Sequence, residues 1–372
     1  MNPLRKLVLV CAVVLTASPV WAEDSGRGTR NVILITTDGL RWQDLFRGAD
    51  ELLLNKDNGG VENVAALRAA YWRETPEARR EALMPFFWTT IAQKGQIFGN
   101  ADRNSRAHVT NGHNFSYPGY NELFTGAADP RVDSNDKKPN PNVSVFEWLN
   151  LQPAFAGKVA AVGSWDLYPY ILNVDRSKLP VNAGWQLIAG PDLGERTVLL
   201  NRQMTQTVRD WSNCRNDVFT TEVAFESLHQ STPRVFYVGL GDTDEYAHMG
   251  RYDQYLHAAH QVDAFLKNLW EAIQAHPQYK DSTTLIVTTD HGRGDPPKGW
   301  RDHGAKVAGS EAIWMAVIGP DTKPLGERSD IPAVTQSQIA ATMAHLLGLP
   351  EFQTASPQAA APIADVLKAG SP

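Results

Sequence analysis

Asn31-Val-Ile-Leu-Ile-Thr-Thr37 runs directly into Asp38 and Gly39. A short run rich in Val, Ile and Thr, closed by an acid and a glycine, reads as a buried strand. The pattern returns twice. Arg234-Val-Phe-Tyr-Val-Gly-Leu240 leads to Asp242 and Asp244, and Thr283-Thr-Leu-Ile-Val-Thr-Thr289 leads to Asp290-His291. Lys158 to Gly163 and Ala312 to Ile318 look like further strands. Helix-like stretches separate them. The clearest is Tyr252 to Ala275, with Leu256, Ala259, Val262, Leu266, Leu269 and Ile273 along one face. Another is expected from Thr335 to Leu347, with Thr335 and Gln338 as a capping box, Gly348 as C-cap and Pro350 as a stop. Strands alternating with helices imply βαβ units, so the expected fold is α/β: a doubly wound, mostly parallel sheet with helices on both faces. Ligands of such sheets gather beyond the carboxyl ends of the strands. Three acidic strand ends should therefore meet in one place.

Outward from these strands the chain divides simply. Residues 50–115 read as an inserted helical segment, with Val64, Leu67, Ala70 and Tyr71 at helical spacing. Residues 130–141, rich in Asp, Asn, Lys and Pro, read as a loop, and the Ala/Pro-rich stretch 355–372 as a loosely ordered tail. A single catalytic domain spanning 23–354 is expected. Residues 1–22 read as a secretory signal: Arg5 and Lys6, then an apolar core from Leu7 to Ala17, then Val20-Trp21-Ala22 at the cleavage positions. The apolar core is too short to span a bilayer. The expectation is a periplasmic or secreted protein with no membrane span in its mature chain. Cys11 would leave with the signal, so Cys214 has no partner for an internal disulfide. The net charge of −6 argues against bulk nucleic-acid binding, which needs basic surface. A small anionic substrate remains compatible, because bound dications reverse the field locally.

The chemistry-bearing residues cluster. Asp244-Glu-Tyr-Ala-His248, Asp290-His291 and His303 offer carboxylates and imidazoles, the ligands that zinc and similar divalent ions accept. With Asp38 there are donors enough for two metals. Each signal alone is weak. Asp38 could be a turn residue, Asp290-His291-Gly292 a plain strand exit, and His248 a surface group. His257, His260 and His276 read as structural, and His108 and His113 match no ligand position.

Taken in order, the set resembles the alkaline phosphatase superfamily, nearest its phosphodiesterase/nucleotide pyrophosphatase branch. Ile35-Thr-Thr-Asp38-Gly-Leu-Arg41 resembles that family's opening strand and first aspartate. Ser116-Tyr-Pro-Gly-Tyr-Asn-Glu-Leu-Phe-Thr-Gly126 resembles its nucleophile segment. Asp244 through His248 resembles its Asp-x-x-x-His pair, Asp290-His291-Gly292 its Asp-His-Gly pair, and His303-Gly304 its last histidine. The stretch from Gln338 to Pro350 is similar to its closing helix. The resemblance implies one metal at Asp244, His248 and His303 and another at Asp38, Asp290, His291 and Ser116. Zinc is the expected ion, with manganese or magnesium as alternatives. It also implies that Ser116 is the nucleophile in hydrolysis of a small phosphate ester through a phosphoseryl intermediate.

Two departures bear on the substrate. Monoester-specific relatives carry a basic pair where this chain reads Ser164-Trp-Asp-Leu167. Without that clamp a doubly charged monoester should lose more than a singly charged diester, unless Arg41, Lys137 or Arg301 reaches in. Diesterase relatives use an asparagine about twenty residues past the nucleophile. Asn135 is the candidate, with Asn140 and Asn142 as alternatives, and Trp165, Tyr168 and Tyr170 could form an aromatic wall. The competing readings are a phosphomonoesterase, a phosphotransferase or mutase, a sulfatase, and a secreted binding protein that keeps the fold without catalysis. The sulfatase reading is weakened because Ser116-Tyr-Pro-Gly-Tyr lacks the arginine of the formylglycine context.

Overall fold

The computed structural model describes residues 27–367; the signal segment 1–22 lies outside the described residues. Its centre is an eight-stranded sheet built from β1 (Asn31–Thr37), β2 (Gln96–Phe98), β3 (Val159–Gly163), β4 (Val181–Ala183), β5 (Val235–Leu240), β6 (Thr283–Thr288), β7 (Met315–Ile318) and β8 (Gly326–Glu327), in the order β8-β2-β7-β6-β1-β5-β3-β4. From β6 to β4 every pairing is parallel. Side chains alternate across β1. Ile33 and Ile35 join one apolar layer with Phe236, Val238 and the helix Tyr252–Ala275, while Val32 and Leu34 join the other with Tyr237 and Ile286. A strand buried on both faces needs apolar residues at every position, which is why these runs do not alternate. The doubly wound α/β expectation holds.

Five helices matter below: α1 (Ser116–Thr125), α2 (Asp217–Ser231), α3 (Asp242–His248), α4 (Tyr252–Ala275) and α5 (Gln338–Leu346). The expected α4 has the bounds read from its periodicity. Helix α5 starts three residues later than expected, because Val334–Thr335 is spent as a strand. Half of the expected capping box survives: the Thr335 backbone N–H donates to Gln338 Oε1 at 2.9 Å.

Other expectations are corrected. Ala312–Ile318 is two strands, not one. Ala312–Ile313 joins Ala107–His108 and Val334–Thr335 in a small separate sheet, while β7 runs antiparallel to β6. Trp314 marks the break, with its ring buried and its Nε1 donating to the Leu40 carbonyl at 2.9 Å. The segment 50–115 is not wholly helical, since it supplies β2 and the strand Ala107–His108. Nor is the stretch 355–367 loose. Ile363 and Val366 are buried, the Asp365 carbonyl accepts from Gln96 Nε2 at 2.7 Å, and the Val366 carbonyl accepts from Thr322 Oγ1 at 3.1 Å. Its Ala/Pro composition hid a few well-spaced apolar anchors.

One buried acid ties the inserted helices to the domain. Asp263 of α4 accepts from the backbone N–H groups of Phe86 and Phe87 at 2.8 and 2.7 Å. Asp263→Ala leaves both donors unmet in the core and should destabilise the fold by roughly 1–3 kcal/mol. Denaturant unfolding of the purified variant measures this. Among the described residues, no helix is long and apolar enough to cross a membrane.

Candidate metal centre

Register assembles the site. In the parallel pairing Thr37 lies opposite Leu240 and Thr36 opposite Thr288. The chain therefore leaves β1, β5 and β6 at the same edge, and Asp38, Gly241–Asp244 and Thr289–Asp290 emerge side by side. The backbone N–H of Asp38 donates to the Leu240 carbonyl at 2.9 Å, and Thr243 Oγ1 donates to the Asp38 carbonyl.

Helix α1 brings Ser116 to that edge at its first residue. Gly119 makes this approach feasible: a Cβ there would lie 2.5 Å from the Asp290 carbonyl oxygen. Tyr120, also on α1, donates to Asp38 Oδ2 at 3.1 Å.

Two donor groups result. His291 Nε2 faces Asp38 Oδ1 at 3.2 Å, Asp290 Oδ2 at 3.5 Å and Asp244 Oδ1 at 3.8 Å, with Ser116 Oγ at 3.4 Å. His248 Nε2 faces His303 Nε2 at 3.0 Å and Asp244 Oδ2 at 3.3 Å, and His303 Nε2 lies 3.6 Å from Asp244 Oδ1. Asp244 stands between the groups. All seven sequence-derived residues thus come together.

The electrostatics fit divalent cations. Asp38 Oδ1 and Asp290 Oδ2 are buried without a hydrogen-bond partner. Burial, then the neighbouring Asp38 charge, pushes the Asp290 carboxyl up to about 8. Burial opposes a charged His291, yet Asp290 and Asp38 outweigh it and carry the imidazole up to about 9. His303 is held well below the ordinary range by burial, then by His291 and Arg293. His248 is lowered by burial and by His291. A buried Asp290 carboxyl that resists ionising, beside the His248 and His303 imidazoles that resist protonating, is what a dication relieves. The ring Nδ1 atoms suit this as well: Nδ1 of His291 faces the Gly292 carbonyl at 2.9 Å and Nδ1 of His303 the Asn114 carbonyl at 3.3 Å. Donation from each Nδ1–H leaves Nε2 free as a ligand atom.

Sequence reading missed several supporting residues. Arg293 follows Asp-His-Gly and is buried; it donates to the Gly39 carbonyl at 3.1 Å, to the Arg301 carbonyl at 2.8 Å and to the Asp244 carboxylate. One guanidinium thereby links the four segments that carry the aspartate and histidine donors. Asp217 opens α2 and accepts from the N–H groups of Gly241 and Asp242 at 2.8 and 3.0 Å, fixing the start of α3. The signal for Arg293 was its place directly after the ligand pair; Asp217 left none.

A cavity of about 180 Å³ opens over the site, lined by Asp38, Ser116, Asp244, His248 and His303 together with Asn135, Trp165, Tyr168, Asn213, Cys214 and Glu245. Asn135 accepts from the Tyr117 N–H at 3.0 Å and lines the cavity with Ser116. Asn140 and Asn142 instead donate to Asn121 at 3.2 and 3.0 Å. Trp165 and Tyr168 both line the cavity, while Tyr170 packs with the core. No lysine or arginine lines it among the described residues. Arg41 is buried against Asp44, Lys137 pairs with Asp166 at 2.7 Å, and Arg301 donates to the Asn58 carbonyl at 2.7 Å. A larger cleft of about 570 Å³ between α2 and α4 includes none of the seven donors.

Residues 196–351 match a family model described as the Metalloenzyme superfamily. A curated 2,3-bisphosphoglycerate-independent phosphoglycerate mutase from Gracilaria tenuistipitata var. liui is 32% identical over 75 residues, which is 20% of this chain and 14% of that protein. The alkaline phosphatase PafA shares the fold with a TM-score of 0.57 at 11% identity, over 91% of this chain and 99% of that one. A 2-O GAG sulfatase does so with a TM-score of 0.54 at 13% identity, over 91% and 74%. The lipoteichoic acid synthase LtaP from Listeria monocytogenes follows at 0.51 and 10%, over 87% and 72%.

Proposed function

We propose that this chain, which shares the fold of alkaline phosphatase PafA, is a two-metal phosphodiesterase of the metalloenzyme superfamily with Ser116 as its nucleophile. The observation that carries the reading is the convergence of Ser116 Oγ, three aspartates and three histidines on one strand edge. Asp244, His248 and His303 would hold one cation, and Asp38, Asp290, His291 and Ser116 the other; zinc suits this nitrogen and oxygen set. Such a pair supplies Lewis-acid stabilisation of the attacking and leaving oxygens.

The chain's own residues do the rest. Ser116 Oγ, presented at the start of α1, attacks phosphorus as the bond to the leaving alcohol breaks. The protein then carries the remaining organic group as a phosphodiester of Ser116, the seryl proton having passed to solvent and the departing alkoxide having taken one up; water cleaves the Ser116 Oγ–P bond, releasing the phosphate monoester and restoring the serine. Asn135 offers an amide donor to a phosphoryl oxygen, and Trp165 a flat apolar surface to the ester's organic part.

The diester preference rests on charge. Among the described residues no lysine or arginine lines the cavity, and without a cationic clamp a dianionic monoester loses more than a monoanionic diester. The fold is shared with a phosphatase and a sulfatase, so the purified protein should be assayed on aryl phosphate monoester, aryl phosphate diester and aryl sulfate. We expect kcat/KM for the diester to equal or exceed that for the monoester, and sulfate turnover to be lowest. Monoester or sulfate dominance would replace this reading with the phosphatase or sulfatase one. Periplasmic or secreted localisation is part of the same proposal, carried by the basic and apolar pattern of residues 1–22.

A further inference from the structure

Glu122 is a fully buried acid that the mechanism above does not use, and none of its hydrogen bonds comes from a lysine or arginine. A buried carboxylate is costly unless hydrogen bonds compensate it. Here one loop supplies them all. Its oxygens accept from the Thr110 N–H at 2.9 and 2.8 Å, from Thr110 Oγ1 at 2.8 Å, from the Asn111 N–H at 3.0 Å and from Asn111 Nδ2 at 2.9 Å.

The chain of contacts continues to the metal centre. Asn111 Oδ1 accepts from the N–H groups of His113 and Asn114, both at 2.9 Å. Asn114 sits in the left-handed region at φ 56°, which asparagine tolerates better than most residues. Its carbonyl oxygen faces His303 Nδ1 at 3.3 Å. Two residues further on, the same loop delivers Ser116 and begins α1, the helix that carries Glu122.

We propose that Glu122 is a positioning residue for His303: by clamping residues 110–111 it sets the Asn114 carbonyl that orients the ring and leaves Nε2 free toward Asp244 and His248. The proposal rests on the two-metal reading. It gives α1 two tasks, presenting the nucleophile and holding the loop that steers a ligand of the neighbouring cation.

Calorimetric titration of metal-free protein with Zn2+, and the visible absorption of the Co2+ form, test it without any assay of turnover. Wild type should bind two ions. Glu122→Gln should weaken one of them roughly 10–100-fold, as loss of an orienting partner does. The weakened site should be the one that His303→Ala loses, not the one that His291→Ala loses. Asn111→Ala breaks the next link at a half-buried position and should give the same selective loss, so the proposal stays testable if Glu122→Gln does not fold. Thr125→Val removes another buried side-chain hydrogen bond from the same helix and should lower stability without changing either affinity. Unchanged affinities in Asn111→Ala and Glu122→Gln, or equal weakening of both sites, overturn the proposal. A wild-type protein that binds no metal instead removes the two-metal reading, and the role of Glu122 with it.

Discussion

Ser116→Ala should abolish turnover of the preferred ester, lowering kcat by at least about three orders of magnitude, because residues of a nucleophilic unit contribute steeply and non-additively. Serine oxygen is a poor nucleophile unaided, and no other hydroxyl lines the cavity close to the donor set: the remaining one belongs to Tyr168, whose ring is buried in the aromatic layer beneath. The fold should not suffer. The Ser116 side chain's hydrogen bond is to His291 Nε2, long at 3.4 Å, and alanine suits a helix start already shaped by the extended Phe115 before it. Rapid-quench assays on wild type should trap a phosphorylated serine that the variant lacks. A variant retaining a tenth of wild-type kcat would move the nucleophile elsewhere.

Removing the metals should be as severe. A chelator is expected to eliminate activity, and stoichiometric Zn2+ or Mn2+ to restore it. Stripping should also destabilise the fold in a pH-dependent way. The Asp290 carboxyl, raised from 3.8 to about 8, keeps a proton that the unfolded chain releases, so stability declines as pH rises between those values. His291, raised from 6.5 to about 9, contributes stability that is complete below 6.5 and lost as pH climbs to about 9. His248 and His303, held low, act oppositely, but their contribution has levelled off once pH passes the ordinary histidine value of 6.5. The metal-free protein should therefore melt several degrees lower at pH 9 than at pH 6.5. The loaded protein should show a much flatter profile, since bound ligands stabilise by mass action. Calorimetry of both forms across that interval decides it. A metal-free protein with no pH slope would mean that the carboxylates find other partners in solution.

Much of this was legible in the chain because the signals were local. Uninterrupted Val, Ile and Thr runs report strands covered on both faces, and an acid at the end of each reports the functional edge, so β1, β5 and β6 and their aspartates could be read directly. Ser116 could not. Serine starts many helices, and only the resemblance of the whole segment picked it out; the Gly119 contact that justifies the choice exists between residues far apart in sequence. Arg293, Asp217 and Glu122 were missed for the same reason, since each acts through backbone carbonyls or N–H groups that tertiary structure alone supplies. The break at Trp314 and the anchored stretch to residue 367 depend on which neighbour each segment finds. Composition carries no trace of that.

The interleaved strand order also governs when the site can come into being. β1 emerges first from synthesis, yet it ends up flanked by β5 and β6, so its aspartate waits for most of the polymer before meeting a fellow aspartate or histidine ligand. Contacts of such long sequence separation form late, after loop-closure entropy has been met by hydrophobic association. Cations held there, as proposed, would thus not seed folding in the manner of a zinc finger. They would bind as a seal on an already assembled domain, and loss of that seal should leave a folded, inactive protein awaiting recharge.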